Sequence, residues 1–264
     1  ERFERAAARQ DILTARNGYV TVGLFTDKHC NNATDRFIAS VMNLTGAEIL
    51  STAGDDFVSG TPYEAFCVRS IGEGVDHEVK KIAVGGNHGT RTDSVAQLEE
   101  AGFEVVDVDN PVEAHGLVFA GVADPRLSQF GSPTIFYEGE SLSTAASALR
   151  RTACAADADV LLVHDAEIAE LALRRGCGES SLSGHVHRPQ FREVSGPLGE
   201  SPQIVGDNLS GAGEGAFTFA KPDQDVAMVV AQYNPRTGRL VAYQRLGFTP
   251  SGRPTIGEIV ELEE

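Results

Sequence analysis

Five short apolar runs in this chain each end in aspartate, asparagine or histidine, and this repeated pattern constrains the fold most. The last run ends at Gly184-His185-Val186-His187. Runs rich in β-branched and aromatic residues are typical of buried strands, and ligands collect where loops leave the carboxyl ends of such strands. The pattern therefore predicts that five strands direct polar residues to one place. These residues are Asp27, His29, Asp55, Asn87, His88, His164, His185 and His187.

The order of the predicted elements indicates an α/β fold with two sheets. Helices are predicted, from helical spacing of apolar residues, over 35–45, 62–72, 92–101, 141–156 and 168–175. Strands are predicted over 18–26, 48–52, 79–84, 103–108, 117–122, 160–163, 190–194, 203–205, 216–219, 226–233 and 239–246. Strand and helix alternate through the first two-thirds, and strands dominate the last third. Two mixed sheets packed face to face, with flanking helices, explain both parts.

The chain divides into three predicted segments. Residues 1–17 are expected to form an N-terminal helix or linker, residues 18–250 one domain, and residues 251–264 a frayed acidic tail. A chain of 264 residues is long enough to bury a full hydrophobic core without a structural metal ion. A bound metal is therefore expected to be catalytic rather than structural.

The charge of the chain limits its partners. The formal net charge is -16, and no run of Lys or Arg interrupts the excess of carboxylates. Phosphate backbones need a basic footprint, so nucleic acid is not an expected partner. A small phosphorylated substrate would instead need positive charge from bound divalent cations.

The cysteines and the hydropathy bear on location. The four cysteines, at positions 30, 67, 154 and 177, lack paired metal spacing and are interpreted as reduced thiols of a cytoplasmic protein. No run approaches the roughly 20 apolar residues of a membrane span. We expect a location in the cytoplasm or at the cytoplasmic face of a membrane. A membrane anchor that precedes Glu1 is left open as an alternative.

The five motifs resemble, in content and order, those of the calcineurin-like metallophosphoesterase superfamily. They stand as Asp27-Lys28-His29, Gly54-Asp55 with Gly60, Gly86-Asn87-His88, His164, and Gly184-His185-Val186-His187. Each motif alone is weakly specific, whereas the ordered set over residues 27–187 is highly specific. The resemblance implies a metallophosphoesterase-like four-layer α/β/β/α sandwich and a hydrolase of phosphate monoesters or diesters.

The resemblance also implies a dinuclear metal centre. The first ion would be bound by Asp27, His29 and His187, the second by Asn87, His164 and His185, and Asp55 would bridge them. Two ions of Mn, Fe or Zn about 3.5–4 Å apart would hold a bridging hydroxide as nucleophile and clamp two phosphoryl oxygens. His88 would donate a proton or hydrogen bond to the leaving oxygen or a phosphoryl oxygen.

One position departs from the superfamily pattern. Gly89 follows His88, where an acidic residue that can orient this histidine usually stands. We hypothesise that Asp124 or Asp165 partners His88 instead, or that the substrates have leaving groups that need little protonation. The alternative is a catalytically weak or inactive metal-binding or regulatory protein that retains the fold.

Other polar residues near the motifs are interpreted without a catalytic role. Asp56 is expected to be a turn or cap carboxylate, because successive residues tend to point apart. Residues 207–208 and 210–215 are interpreted as turns, since the second stretch lacks the following helix and the lysine of a P-loop. Lys28, Arg91 and Arg126 can offer charge to a phosphate, but solvated loop charges explain them equally well.

Overall fold

Two large β-sheets with flanking helices make up residues 2–212 and 222–263, the part of the chain that the computed structural model describes. The strands are β1 (Val20–Phe25), β2 (Ile49–Thr52), β3 (Lys80–Ala83), β4 (Glu104–Val105), β5 (Val112–Ala114), β6 (Leu117–Val122), β7 (Arg126–Leu127), β8 (Ile135–Phe136), β9 (Val160–Val163), β10 (Ser180–Ser183), β11 (Gln190–Gly196), β12 (Gly199–Val205), β13 (Val226–Tyr233), β14 (Leu240–Phe248), β15 (Pro254–Ile256) and β16 (Val260–Glu261). The helices are α1 (Arg2–Ala7), α2 (Asp35–Thr45), α3 (Phe66–Gly74), α4 (Asp93–Glu100), α5 (Leu142–Ala156) and α6 (Ala166–Leu173), with 3-10 turns at Asn32–Thr34 and Pro62–Glu64.

Both large sheets are mixed. The first has the order β15-β14-β13-β1-β2-β3-β4, with β16 also paired to β14, and its strands β1 to β4 run parallel. The second has the order β11-β12-β10-β9-β6-β5, in which β6, β9, β10 and β12 run parallel. The strands that precede the predicted ligands are therefore neighbours within each sheet. In the first sheet, Phe25 pairs with Thr52 and Thr52 with Ala83, so these three strands end in register.

The core forms three apolar layers, and alternation along each strand explains them. In β9, Val160 and Leu162 face the layer between the two sheets, whereas Leu161 and Val163 pack under α5 and α6. Successive side chains of a strand point to opposite faces, so a strand covered on both faces is apolar throughout. The helices α2, α3 and α4 cover the outer face of the first sheet. The four-layer α/β/β/α prediction is confirmed.

Most predicted elements are present, and the differences lie at the ends of the chain and in short strands. Of residues 1–17, predicted to be a helix or linker, only Arg2–Ala7 form a helix. The tail after residue 250 is not frayed, because β15 and β16 pair with β14. Residues 131–139, where the sequence predicted no helix or strand, contain β8, which pairs with β7. The strand predicted at 216–219 lies outside the described residues.

The prediction of reduced cysteines is wrong. Cys30 is bonded to Cys67, and Cys154 to Cys177. Spacing along the sequence did not reveal these pairs, because the fold brings together residues 37 and 23 positions apart. Disulfides persist in oxidising compartments, so the cysteines no longer support a cytoplasmic location. No helix within residues 2–212 and 222–263 is long and apolar enough to cross a membrane.

Candidate metal centre

The predicted ligands all follow the carboxyl ends of neighbouring strands. Asp27 and His29 follow β1, Asp55 follows β2, Asn87 follows β3, His164 follows β9, and His185 and His187 follow β10. Because these ends meet between the two sheets, residues more than 150 positions apart in sequence come into contact. His29 Nε2 lies 3.2 Å from His187 Nε2. The prediction that the residues converge is therefore met by the geometry.

The backbone at these positions is unusual. Five of the ligand candidates have φ between 44° and 74°, a left-handed conformation that side chains other than glycine rarely adopt, namely Asp27, His29, Asp55, His185 and His187. Such residues cluster at functional sites. Backbone hydrogen bonds between strand-end loops hold the conformation, from Asp27 N to Gly54 O at 3.0 Å and from His29 N to Asp55 O at 2.9 Å. A β-carbon on Gly54 would lie 2.7 Å from the backbone of Gly86, so the two loops need glycine at this contact.

The first group of ligand atoms comes from Asp27, His29 and His187. His187 Nε2 lies 3.2 Å from Asp27 Oδ1. The other carboxylate oxygen of Asp27 is occupied, since it accepts hydrogen bonds from Thr26 Oγ1 at 2.8 Å and His185 N at 2.9 Å. One oxygen of Asp27 is thus held in place and the other faces the two imidazoles. All three ligand atoms lie within 4.8 Å of one another.

The second group consists of His164, His185 and Asn87, together with Asp55. Asp55, His164 and His185 each offer one ligand atom, and these three atoms lie within 4.8 Å of one another. Asn87 Nδ2 donates to Ser128 Oγ at 2.8 Å, which fixes the amide. Its Oδ1 is buried and makes no hydrogen bond to the described residues. This carbonyl oxygen is therefore available as a ligand.

Asp55 lies between the two groups. Its Oδ2 is 3.2 Å from His164 Nε2 and 3.9 Å from His29 Nε2. Its Oδ1 accepts a hydrogen bond from the backbone N of His88 at 2.8 Å. A carboxylate oxygen placed between ligands of two groups has the position of a bridging ligand.

Backbone carbonyls orient three of the imidazoles. Nδ1 of His29 lies 3.1 Å from Phe57 O, that of His164 2.8 Å from Ala53 O, and that of His187 3.1 Å from Ala212 O. A carbonyl can only accept, so each Nδ1 carries the proton and each Nε2 points into the centre. This arrangement is how proteins fix metal-binding histidines.

The electrostatics of the buried groups fit divalent cations. Asp27 Oδ1 and His164 Nε2 are buried without a hydrogen-bond partner among the described residues. Burial lowers the pKa of His29 to about 4, so its ring is neutral at neutral pH and Nε2 has a free lone pair. Burial opposes protonation of His164 as well, but the negative charge of Asp55, 3.2 Å from its Nε2, outweighs that effect and raises the pKa of His164. Two buried carboxylates with imidazole nitrogens around them form a donor set for borderline divalent ions.

Comparison with known proteins agrees with this geometry at the level of fold. No protein-family model and no curated protein matches the sequence. Among solved structures, protein TT1561 of Thermus thermophilus has a TM-score of 0.57 at 14% identity, covering 84% of this chain and 96% of that one. A dimetal phosphatase from Danio rerio has a TM-score of 0.55 at 10% identity, with 92% and 99% covered. A 5'-nucleotidase precursor, also from Thermus thermophilus, has a TM-score of 0.55 at 16% identity, with 89% of this chain and 56% of that chain covered.

The chain has the calcineurin-like metallophosphoesterase fold. The resemblance found in the five motifs is thereby confirmed for the fold. This chain spans about half the length of the nucleotidase precursor. These neighbours share at most 16% of their residues with it, so the roles of individual residues must be argued from the geometry.

In this metallophosphoesterase fold, the ring of His88 lies beside the candidate ligands and makes no hydrogen bond to a carboxylate of residues 2–212 and 222–263. Its Nδ1 lies 2.9 Å from Val58 O, and its ring packs edge to face on His29. The hypothesis that Asp124 or Asp165 partners His88 is wrong, because neither carboxylate forms a hydrogen bond or ion pair with His88, and both pair with Arg126 instead. Thr134, His88 and Arg126 line one cavity of about 290 Å³. The other lining residues are His29, Asp55, Asn87, Ser128, His185 and His187.

In this metallophosphoesterase fold, Lys28 and Arg91 form ion pairs away from the metal centre. Lys28 is fully buried and pairs with Asp35 at 3.0 Å, so it is not a solvated loop charge, one of the two interpretations left open from sequence. Arg91 pairs with Glu140 and lies over the ring of Tyr137. Neither side chain lines the cavity of the metal centre.

Several supporting residues were missed by sequence reasoning. Ser128 N donates to Asn87 O at 2.7 Å, and Asn208 Nδ2 donates to His187 O at 3.2 Å. Asn208 therefore supports the centre, although the pair 207–208 was interpreted only as a turn. Unlike Ser128 and Asn208, Thr26 is adjacent in sequence to a predicted ligand, Asp27, so its supporting role could have been suspected from sequence. The carboxylate of Asp56, interpreted from sequence as a turn or cap carboxylate, accepts a hydrogen bond from Thr52 Oγ1 at 3.0 Å.

Proposed function

We propose that this chain is a dinuclear metal-dependent hydrolase of phosphate esters. Asp27, His29 and His187 would hold one divalent ion of Mn, Fe or Zn, Asn87, His164 and His185 the other, and Asp55 both. The observation that carries the proposal is the position of Asp55 Oδ2 between His164 Nε2 and His29 Nε2. A single-ion site would need no carboxylate shared between two separate groups of ligands. The dimetal phosphatase among the structural neighbours supports the same conclusion.

The residues of the chain account for binding and orientation of the substrate. A pair of bound divalent cations supplies Lewis-acid activation of both a water nucleophile and the phosphoryl group. The cavity beside the ligands measures about 290 Å³, which suits a small phosphorylated substrate. His88 lies at this cavity with Nδ1 held by Val58 O, so Nε2 is the nitrogen left to interact with the leaving oxygen.

Metal analysis and two model esters test the proposal. Purified protein, freed of metal and reloaded with Mn, Zn, Fe or Mg, is assayed with an aryl phosphate and an aryl phosphodiester. We expect two equivalents of metal and hydrolysis of at least one ester. The variant Asp55→Asn should lose both. Asp159→Asn is the matched control, because Asp159 precedes β9 at the end of the strand opposite His164 and accepts from Val118 N at 2.8 Å.

A catalytically weak metal-binding protein is the second candidate. It is favoured by Gly89 and by the absence, among the described residues, of a carboxylate hydrogen-bonded to the ring of His88. In that case the protein would bind two equivalents of metal in every preparation and release no product from either ester. Binding of fewer than two ions by the wild-type protein would contradict both candidates.

A further inference from the structure

Arg126 is the one arginine that lines the cavity of the metal centre within residues 2–212 and 222–263. It follows β6 at the start of β7, and its side chain is 15% exposed. The residue two positions on, Ser128, contacts Asn87 through Oγ and through its backbone N. Asp165, which contacts Arg126 directly, is adjacent to His164 in the chain. The guanidinium therefore lies on the side of the cavity that holds the Asn87, His164 and His185 group.

Two carboxylates hold this guanidinium in a fixed orientation. Asp124 accepts from Nε at 2.8 Å and from Nη2 at 2.6 Å, and Asp165 accepts from Nη2 at 2.9 Å. Nη1 makes no hydrogen bond to any residue in the described part of the chain, so its two N–H groups remain available. A planar guanidinium fixed along one edge presents its other donors in a defined direction, which suits recognition of a phosphoryl oxygen.

We propose that Arg126 binds the third terminal oxygen of a phosphomonoester and makes the enzyme selective for monoesters. This inference rests on the proposed dinuclear centre. Two cations held at the proposed centre would bind two terminal oxygens of the phosphoryl group. A phosphodiester has only those two, whereas a monoester has a third, with a further negative charge. Nη1 of Arg126 is the donor for that additional oxygen.

The local charges explain why this donor acts only with the metals in place. The carboxylates of Asp124 and Asp165 carry two negative charges against the single positive charge of Arg126, so the trio has no surplus positive charge. Asp27 and Asp55 add two more buried carboxylates nearby. An anion is therefore attracted to the cavity only when divalent cations outweigh these charges. Inorganic phosphate should bind the metal-loaded protein and not the metal-free one.

The test compares Arg126→Gln and Arg126→Lys with the wild-type protein on the aryl phosphate and the aryl phosphodiester. We expect KM for the monoester to rise about 10- to 100-fold in Arg126→Gln, the effect of losing a hydrogen bond to a charged group. The constants for the diester should stay close to the wild-type values. Arg126→Lys keeps the charge without the planar fork and should recover only part of the loss. Arg239→Gln is the matched control, since Arg239 pairs with Glu179 on the surface outside the cavity.

A structural role of Arg126 must be separated from substrate binding. Arg126→Gln leaves two partly or fully buried carboxylates without their partner, so the double variant Arg126→Gln/Asp124→Asn restores part of the charge balance. Selective loss of monoesterase activity in both variants, with two metals still bound, supports the proposal. Equal loss with both esters, or loss of metal, overturns it.

Binding of inorganic phosphate, measured by calorimetry on the metal-loaded protein, keeps this test independent of turnover. Weaker phosphate binding in Arg126→Gln supports the role of Arg126 even if neither ester is hydrolysed, a result that would reject only the proposed hydrolase. Unchanged phosphate binding overturns the role of Arg126, and leaves the hydrolase standing if either ester is turned over.

Discussion

Thr26 orients the carboxylate of Asp27 at the candidate metal centre. Its Oγ1 donates to Asp27 Oδ2, which turns Oδ1 toward His187. Thr26→Val keeps the shape and removes the donor, so the carboxylate can rotate. Residues that orient ligands change metal affinity about 10- to 100-fold, and we expect a loss of this size in a competition titration with a chelating dye.

Thr45→Val is the control for that variant. Thr45 is also buried, but its Oγ1 donates to Val41 O within α2, away from the centre. Its replacement should leave metal affinity unchanged. An equal loss of affinity in both variants would show that general destabilisation, and not the orientation of Asp27, is responsible.

The departure at Gly89 has a local steric reason. A β-carbon at this position would lie 2.8 Å from Ser94 Oγ and 3.2 Å from Ser94 Cβ. We expect Gly89→Ala to lower the free energy of unfolding by about 1–3 kcal/mol, the usual effect of overpacking. Gly89→Ala/Ser94→Ala should recover part of that loss, because it removes the nearer atom. Denaturant unfolding measures both, and a second replacement that recovers nothing would contradict the steric explanation.

Residues were predictable where the motif itself carried the signal. Asp55 was preferred over Asp56 from the glycine before it, and in the structure its Oδ2 lies between the two ligand groups. The support from Asn208, and the Asp124 and Asp165 partners of Arg126, were not predictable. These contacts join loops that are remote in sequence, and no periodicity or spacing encodes them.

At the scale of elements, the disulfide between Cys30 and Cys67 ties the loop after β1 to α3. Replacing both cysteines with alanine should lower the free energy of unfolding by about 2–4 kcal/mol, because the open loop gains conformational entropy in the unfolded chain. Since Cys30 follows His29, metal affinity should fall as well. Thiol labelling under denaturing conditions, with mass spectrometry, first checks that the native protein has paired cysteines.

The second disulfide provides the comparison. Cys154 and Cys177 join α5 to the segment after α6, outside the ligand loops. Removing this pair should cost a similar free energy of unfolding and leave metal affinity unchanged. Equal effects of the two double variants on metal binding would show that neither disulfide has a specific role at the centre. Four free thiols in the native protein would contradict both pairings.

Elements with a clear sequence pattern were predictable, whereas strands of two or three residues were not. The bounds of α2, β6, β9 and β13 agree with the predicted ranges because each has a clear periodicity or a continuous apolar run. Strands of two or three residues, such as β8 and β16, have too few residues to show a period. They are stabilised by pairing with a neighbouring strand, so only the tertiary fold defines them.

At the scale of the whole molecule, charge is distributed less evenly than the sequence suggested. No run of basic residues is present, yet Arg2, Arg5, Arg9 and Arg253 line one surface groove. Three of them lie on or just after α1, and the fold brings the fourth from the turn before β15. The sequence therefore shows no basic cluster, although the folded chain has one. For this reason the net charge of -16 is not sufficient to exclude an anionic partner at this groove.

Metal binding should stabilise the whole molecule, because the ligands come from both sheets. Asp27, His29, Asp55 and Asn87 follow strands of the first sheet, whereas His164, His185 and His187 follow strands of the second. Unfolding of either sheet disrupts both ligand groups. Cations at 100 times their dissociation constant stabilise a protein by about 2.7 kcal/mol, so a chelator should lower Tm in calorimetry. Asp55→Asn removes the carboxylate shared by the two ligand groups, so this variant should bind little metal and the chelator should change its Tm much less. An equal shift in the wild-type protein and this variant would place the stabilising ion elsewhere, and would contradict a centre in which Asp55 joins the two sheets.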